Sequence, residues 1–380
     1  VGEPLMGAPL RVGMVGAGAI AQQYLNTFPH LDHVTLVAVA DLDHERAETV
    51  ARSVDETIPG VRALGVDELI ADPDVDIVLN LTIPRAHAPI ALQAIAAGKH
   101  VYGEKPLTAT VAEGVEVLAA AQAAGVRVGC APDTVLGTGV QTARRAVDDG
   151  LIGRPISASA TMVTPGHERW HPNPDFYYVP GGGPLLDMGP YYVTALVTLL
   201  GPVVSVIGAA SHTRSEREIK TGPRAGEKIP VTTDSHVTGI LTHASGALST
   251  LFMSFDAAAT RSSNIEVHGE NASLIVPDPN HFAGDVSIRE IGAEDWSVLP
   301  VSAGYVDASR GVGLEDLAVA AAENRPHRAG AELALHALEI MESVLLSAQS
   351  GTGVSIASTV ERPEAVDLNT SVSPAPVASA

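Results

Sequence analysis

From Leu10 to about Pro132, short runs of apolar, often β-branched residues alternate with stretches whose apolar positions recur at helical spacing. Strands are predicted at Arg11–Val15, Val34–Ala40, Val61–Leu64, Asp76–Leu81, His100–Gly103 and Val126–Cys130. Helices are predicted at Ala19–Phe28, Asp43–Val54, Ala86–Ala97, which Gly98 closes, and Val111–Ala124. Val34–Ala40 (VTLVAVA) lacks the polar alternation of a half-exposed strand, as expected of one buried on both faces. Repeated β–α alternation of this kind predicts a parallel, doubly wound sheet.

After Gly153-Arg154-Pro155 the pattern changes. One long helix, Leu185–Leu200, precedes strands at Val203–Ala210, His236–Thr242, Leu248–Phe255, Ile265–Gly269, Ser273–Val276 and Val286–Ile291. Ala244–Ala247 reads as a hairpin turn. Strands that follow one another without helices predict a largely antiparallel sheet, closed by helices at Gly313–Glu323 and Ala331–Ser350. The expected division is a first domain over 1–133, a second over 134–365, and a Ser/Pro/Ala-rich mobile tail over 366–380.

Composition narrows the function classes. At 380 residues and 46% hydrophobic, the chain can fill two cores. A formal net charge of −21 repels phosphate backbones and anionic lipid, which argues against nucleic-acid and membrane partners. A bound anion must then be held by local donors. The single cysteine, Cys130, permits no intrachain disulfide and argues against a thiolate metal centre. The first ten residues lack a basic segment followed by an apolar core, so the expectation is a cytoplasmic protein without a signal peptide.

The chemistry-bearing residues cluster where strands end. GAGAIA, residues 16–21, joins the first strand to the first helix. Gly16 permits the tight turn and Gly18 lets backbone approach a pyrophosphate. Ala21 is small enough for close packing, and the helix start at Ala19-Ile20 offers free N–H groups to phosphate. Asp41, 23 residues beyond Gly18, either accepts both ribose hydroxyls, favouring NAD over NADP, or caps the second helix. Thr82, Pro84 and His87 follow the fourth strand and are positioned to line a cofactor; Thr82 capping a helix begun by Pro84 is the alternative. Glu104-Lys105-Pro106 follows the fifth strand, and Lys105 is one of only four lysines. Its ammonium could stabilise an alkoxide and ease ionisation of a neighbouring base.

Gly181-Gly182-Gly183 permits close backbone approach to a ligand, and Asp187 and Tyr191 lie four apart on the helix that follows. They are either an acid–base pair or a helix-dipole partner beside a core aromatic. His167-Glu168-Arg169-Trp170-His171 matches the H-E-x-x-H zinc pattern, but prolines on both sides leave no room for the long helix that pattern needs. No metal site is expected. His167, Trp170, His171 and Tyr177 read better as a sugar-binding loop, or as a loop packed on its own aromatics, with Asp133 also facing the pocket.

Taken together, GAGAIA, Asp41, Thr-x-Pro-x-x-His, Glu-Lys-Pro and Gly-Gly-Gly-x-Leu-x-Asp-x-Gly resemble the Gfo/Idh/MocA oxidoreductase family, from about residue 10 to 360. The resemblance implies a Rossmann domain, then an α/β domain whose large, mostly antiparallel open sheet forms a homodimer or homotetramer. It implies NAD-dependent hydride transfer at a ring carbinol of a sugar, cyclitol or glycoside. Lys105 and Asp187 match family positions, and Glu104 joins the cofactor-facing motif. Tyr191 stands where many members carry the histidine base, with Tyr192 as fallback. An NAD-dependent glycosidase acting by transient oxidation, or a non-catalytic NAD/sugar sensor, are the competing classes.

Overall fold

The computed structural model describes residues 8–368, which form two compact units. The first comprises residues up to Gly137, Gly304–Leu335 and the segment from Val366; the second comprises Thr138–Ala303 and His336–Ala365.

In the first unit six strands lie parallel: β1 (Leu10–Val15), β2 (Val34–Ala40), β3 (Arg62–Leu64), β4 (Ile77–Asn80), β5 (His100–Gly103) and β6 (Val128–Cys130). Their order, β3-β2-β1-β4-β5-β6, is doubly wound, with the reversal between β1 and β4. The central strands need apolar residues on both faces, and Val12, Met14, Leu36, Ile77 and Leu79 are fully or almost fully buried. Helices α1 (Ala21–Thr27), α2 (His44–Val54), α3 (Val66–Ala71), α4 (Pro84–Ala96) and α5 (Val111–Ala124) connect them. Local chemistry sets their ends. Asp43 accepts the Arg46 N–H to start α2, and Thr110 and Glu113 form a reciprocal capping box on α5. Gly125, at φ 66°, ends α5 in the left-handed region.

The second unit begins with α6 (Thr138–Asp148) and β7 (Pro155–Val163). Helix α7 (Pro184–Leu200) then crosses, and runs unbroken through Pro190. Strands β8 (Val203–Ser211), β9 (Glu216–Glu218), β10 (Lys228–Pro230), β11 (His236–His243), β12 (Leu248–Ser254), β13 (Ile265–Gly269), β14 (Ala272–Val276), β15 (Ser287–Glu290) and β16 (Ser297–Val298) follow. Helix α8 (Val312–Ala322) and the start of α9 (Ala331–Ser350) belong to the first unit, and the rest of α9 and the short β17 (Val354–Ser355) end the second. The large sheet has nine strands in the order β16-β15-β14-β13-β7-β12-β11-β8-β17. Every pairing is antiparallel except β7 with β12, whose parallel crossover is made through α7. Residues alternate strictly: Leu241, Leu251 and Met253 are buried, whereas Thr238, Ile240, Thr250 and Phe252 lie on the open face. Among the described residues no helix is long and apolar enough to cross a membrane.

The structure corrects the expected division. Residues 304–335 belong to the first unit, not the second. The Cys130 N–H donates to Ala329 O at 3.0 Å, and the Glu315 carboxylate accepts the backbone N–H groups of Asp32 and His33. The segment from 304 therefore lies along the β6 edge and holds the turn that leads into β2. The expected tail begins inside the fold: Val366 is fully buried and its carbonyl accepts the Gly304 N–H, while residues 369–380 of that tail lie outside the described residues. The periodicity of α3 and α6 escaped the sequence reading because the first is only 6 residues long and the second mixes Thr, Gln and Arg into a buried face.

Candidate active site

In the first unit the candidate dinucleotide site is built by chain geometry at the ends of β1 and β2. Gly16 sits at φ +102°, and a Cβ there would lie 2.8 Å from the Leu81 carbonyl carbon and oxygen, so no other residue fits without displacing the chain just after β4. A Cβ at Gly18 would meet nothing within 4 Å, so this stretch of backbone is open to a ligand. Ile20 is the N-cap of α1 with no side-chain bond, and the first turn carries no acidic residue. Ala19 and Ile20 thus lead into an uncapped helix start, the ordinary setting for a phosphate. Asp41 is not the cap of α2; Asp43 is. Asp41 Oδ2 accepts the Ala17 N–H at 2.8 Å, Oδ1 accepts the Asp43 N–H at 2.9 Å, and Arg46 Nη1 lies 3.3 Å from Oδ1. A carboxylate has about four lone-pair sites and three are taken, so capacity for one ribose hydroxyl remains, and for a second once the exposed Arg46 side chain swings away. Beside it Leu42 is 100% exposed, a wholly solvated apolar side chain at a strand end, where an adenine face would cover it.

After β4, Thr82 does not cap α4. Its hydroxyl donates to Asn80 Oδ1 at 2.6 Å, and Pro84 occupies the exposed first turn. His87 corrects the expectation more sharply: it is buried, and its ring lies between two carbonyls, Pro106 O (Nδ1, 2.7 Å) and Thr82 O (Nε2, 3.1 Å), donating to one of them when neutral. It ties the loop after β4 to the Glu-Lys-Pro loop instead of lining the cofactor. Glu104 also turns inward. Its carboxylate accepts the Tyr24 hydroxyl at 2.8 Å and the Lys105 N–H at 3.1 Å. Burial, and then Glu104, push the Tyr24 phenol well above its usual range, so that hydroxyl stays a donor. Lys105 stands half-buried at the end of β5 on a loop held from both sides.

Asp133 is not a substrate residue. It is fully buried, and its Oδ2 accepts the Gly311 and Gly313 N–H groups at 2.8 and 3.0 Å, closing the start of α8. Burial raises its pKa.

In the second unit the candidate residues lie around the start of α7. The three glycines serve the protein's own backbone, not a ligand, at two of their positions. A Cβ on Gly182 would sit 2.3 Å from Phe176 O, and one on Gly183 2.7 Å from Asp234 O. They allow the turn to close over residues 176–177 and deliver Asp187 into the first turn of α7. Tyr191, one turn later, is buried at 4% exposure. Tyr192 is unsuited to its fallback role. Its hydroxyl is committed to Asn264 at 2.8 Å and Asp278 at 3.4 Å, and burial followed by Asp278 raises its pKa far above neutrality.

The 164–178 loop brings His167 to Asp187, with Nε2 3.2 Å from Oδ2. The same imidazole packs against Trp170, Tyr177 and Phe255 at centroid distances of 5.1, 4.5 and 4.2 Å. His171 and Phe176 join the cluster, and Trp170 and Phe176 remain 58% and 54% exposed. His171 Nδ1 accepts the Asn173 N–H, so the two histidines of H-E-x-x-H serve different partners. The sequence reading missed Glu168, which has its own task. It is buried against Arg217 at 2.9 Å and accepts the Tyr178 hydroxyl, while Arg217 also binds Asp256 and the Phe255 carbonyl. This network fixes the loop from below.

Comparison with known proteins then decides the family. The profile described as an oxidoreductase family with an NAD-binding Rossmann fold matches residues 10–131, and the GFO/IDH/MocA C-terminal domain matches residues 140–275. The chain belongs to the GFO/IDH/MocA oxidoreductase family. It is an NAD-binding oxidoreductase. A 1,5-anhydro-D-fructose reductase of Ensifer adhaerens is 29% identical over 299 residues, covering 77% of this chain and 83% of that protein. A dTDP-3,4-didehydro-2,6-dideoxy-alpha-D-glucose 3-reductase of Streptomyces antibioticus is 30% identical over 286 residues, covering 71% and 84%. The crystal structure of an NAD binding oxidoreductase from Klebsiella pneumoniae superposes with a TM-score of 0.76 at 25% identity, covering 92% of this chain and 100% of that one.

Proposed function

We propose that this oxidoreductase transfers hydride between NAD and a ring carbinol of a sugar, cyclitol or glycoside. The observation that carries the reading is Asp187 at the start of α7, linked through His167 to an exposed aromatic and polar loop, in a chain of an NAD-binding family. Sugar rings present hydroxyls at their edges and C–H groups on their faces, which suit carboxylate and imidazole on one side and indole or phenol rings on the other. Both relatives named above are reductases of sugar-derived carbonyls. NAD, when bound, supplies the hydride acceptor.

In this reading Gly16, Gly18 and Asp41 hold the dinucleotide. The carbinol C–H breaks with its electron pair, the O–H proton passes to Tyr191, and a carbonyl forms. Lys105, at the lysine position of the Glu-Lys-Pro motif, is the group assigned to stabilise the oxygen's developing charge. Asp187 orients the reacting hydroxyl. The open face of the nine-stranded sheet, with Ser159, Thr250 and Ile240 in register across β7, β12 and β11 and Phe252 two residues along β12, is proposed to pair with a second copy of the chain.

The test mixes the protein with NAD or NADP and a panel of hexoses, pentoses, inositols and glycosides, following reduced-nicotinamide absorbance. A rise with NAD and one substrate group supports the proposal. Silence across the panel with NAD bound, and release of an aglycone, would replace it with glycoside cleavage by transient oxidation.

A further inference from the structure

The hydrogen bonds around His167 determine which of its nitrogens carries the proton. The Trp170 indole N–H, which can only donate, points at His167 Nδ1 at 3.2 Å. Nδ1 must therefore be the acceptor, and the neutral ring carries its hydrogen on Nε2. That nitrogen faces Asp187 Oδ2, a carboxylate that can only accept, at 3.2 Å. Each bond requires the tautomer that the other requires. The side chain is 9% exposed and clasped by Tyr177 and Phe255. Its backbone N–H donates to the Tyr178 hydroxyl at 2.9 Å, and that hydroxyl is anchored on the buried Glu168–Arg217–Asp256 network. Such a ring cannot swing to another partner.

We propose that His167 is a positioning residue for Asp187: Trp170 sets its tautomer, and its Nε2–H holds the Asp187 carboxylate charged and oriented for the substrate hydroxyl. The indole that sets the tautomer belongs to the most exposed ring of the proposed sugar-binding loop, so occupancy of the loop and the state of Asp187 are coupled through one imidazole. The inference rests on the proposed carbinol oxidation. It departs from the expectation that His167 touches substrate directly.

Two readouts test it on the full chain. The first needs no activity: nitrogen-15 shifts of histidine-labelled protein report the tautomer. The expected spectrum shows His167 protonated at Nε2 with Nδ1 unprotonated, and a smaller excess of that tautomer in Trp170→Phe, where Asp187 alone still selects it. A wild-type ring protonated at Nδ1 overturns the proposal. The second is kinetic. His167→Ala should lower kcat about 10- to 100-fold, the range for loss of a hydrogen bond to a charged group, with NADH affinity unchanged. Loss of a donor to the carboxylate should move the acid limb of kcat/KM to higher pH. His167→Gln, which keeps a donor but does not titrate, should restore most of the rate and the wild-type limb. The other titratable or charged neighbours of this ring are Asp187, Tyr177, Tyr178, Glu168 and His171, with Arg217 and Asp256 behind them, and all stay in place in these variants. If His167→Ala fails to fold, Trp170→Phe carries the test, with a smaller fall in kcat and the same direction of shift. Wild-type turnover that His167→Ala retains within threefold, at an unchanged pH profile, overturns the role of His167 alone. Absence of turnover by the wild type on every carbinol overturns the function reading itself.

Discussion

Replacement of Asp41 separates two jobs that its carboxylate can do. The side chain already accepts the Ala17 and Asp43 N–H groups at 2.8 and 2.9 Å, so it braces the glycine loop whether or not a cofactor is bound. Asp41→Ala leaves the buried Ala17 N–H without that acceptor, at a cost of ~1–3 kcal/mol. It also removes the charged acceptor of two ribose hydroxyls, each bond being worth ~1.5–3 kcal/mol before water replaces part of it. A net loss of ~3 kcal/mol in NADH binding, roughly 10²-fold in Kd, follows. NADPH should respond in the opposite sense. The repelling carboxylate is gone, and Arg46, 3.3 Å from Asp41 in the native protein, becomes available to a 2′-phosphate. Asp41→Asn is the control, because its amide oxygen can still brace Ala17 while the charge is lost. Titration of nicotinamide fluorescence with both reduced cofactors should show the NADH/NADPH preference falling at least 10²-fold in Asp41→Ala and largely collapsing in Asp41→Asn. Parallel weakening of both cofactors in Asp41→Ala, with Asp41→Asn unchanged, would refute the selector argument and leave Asp41 a loop brace.

Three further outcomes follow from the geometry. His87→Ala removes the bridge between Thr82 O and Pro106 O and should lower kcat about tenfold through the Lys105 loop, a hydrogen-bond-sized effect, with melting temperature the check on folding; unchanged kcat would show that the loop needs no such tie. Arg217→Met strands Glu168 and Asp256 in a buried site and should cost ~3–5 kcal/mol in urea unfolding; a loss below ~1 kcal/mol would mean that the network is solvated. His100, His243, His327 and His336 all have lowered pKa values, in each case chiefly through burial. The unfolded chain, with histidine pKa near ~6.5, takes up protons before the folded one, so stability should hold above that pH and fall as pH drops below it toward the lowered folded values. Urea midpoints at intervals from pH 7.5 to 5 read this directly, and a midpoint that rises on acidification would contradict it.

The dinucleotide half was legible in the sequence because its constraints are local. Gly16 needs a positive φ, and Gly18 an open backbone, within one strand-to-helix turn, and such needs select residue types at fixed spacing. The sheets were legible for a similar reason: continuous apolar runs and strict alternation mark strands buried on two faces or one. What the sequence did not disclose depends on contacts far apart in the chain. Nothing local says that His87 would turn from the cofactor to Pro106, that Asp133 would close α8 from a distance of 178 residues, or that Glu168 would meet Arg217. The Gly181–Gly183 run shows the same limit from the other side. Its composition asks for close approach, yet the approaching groups at Gly182 and Gly183 are carbonyls of residues 176 and 234, not a ligand. Leu42 carried a signal that could have been used, an apolar residue between two aspartates where a strand ends.

The central claim, hydride transfer from a ring carbinol to NAD, is tested most directly with the substrate group that reduces NAD, deuterated at the reacting carbon. The predicted result is NADH one mass unit heavier, carrying the deuterium at C4 of the nicotinamide, with a slowed turnover. Consumption of the labelled sugar with no deuterium in NADH, or with cleavage of the glycoside and no net NADH, would contradict it.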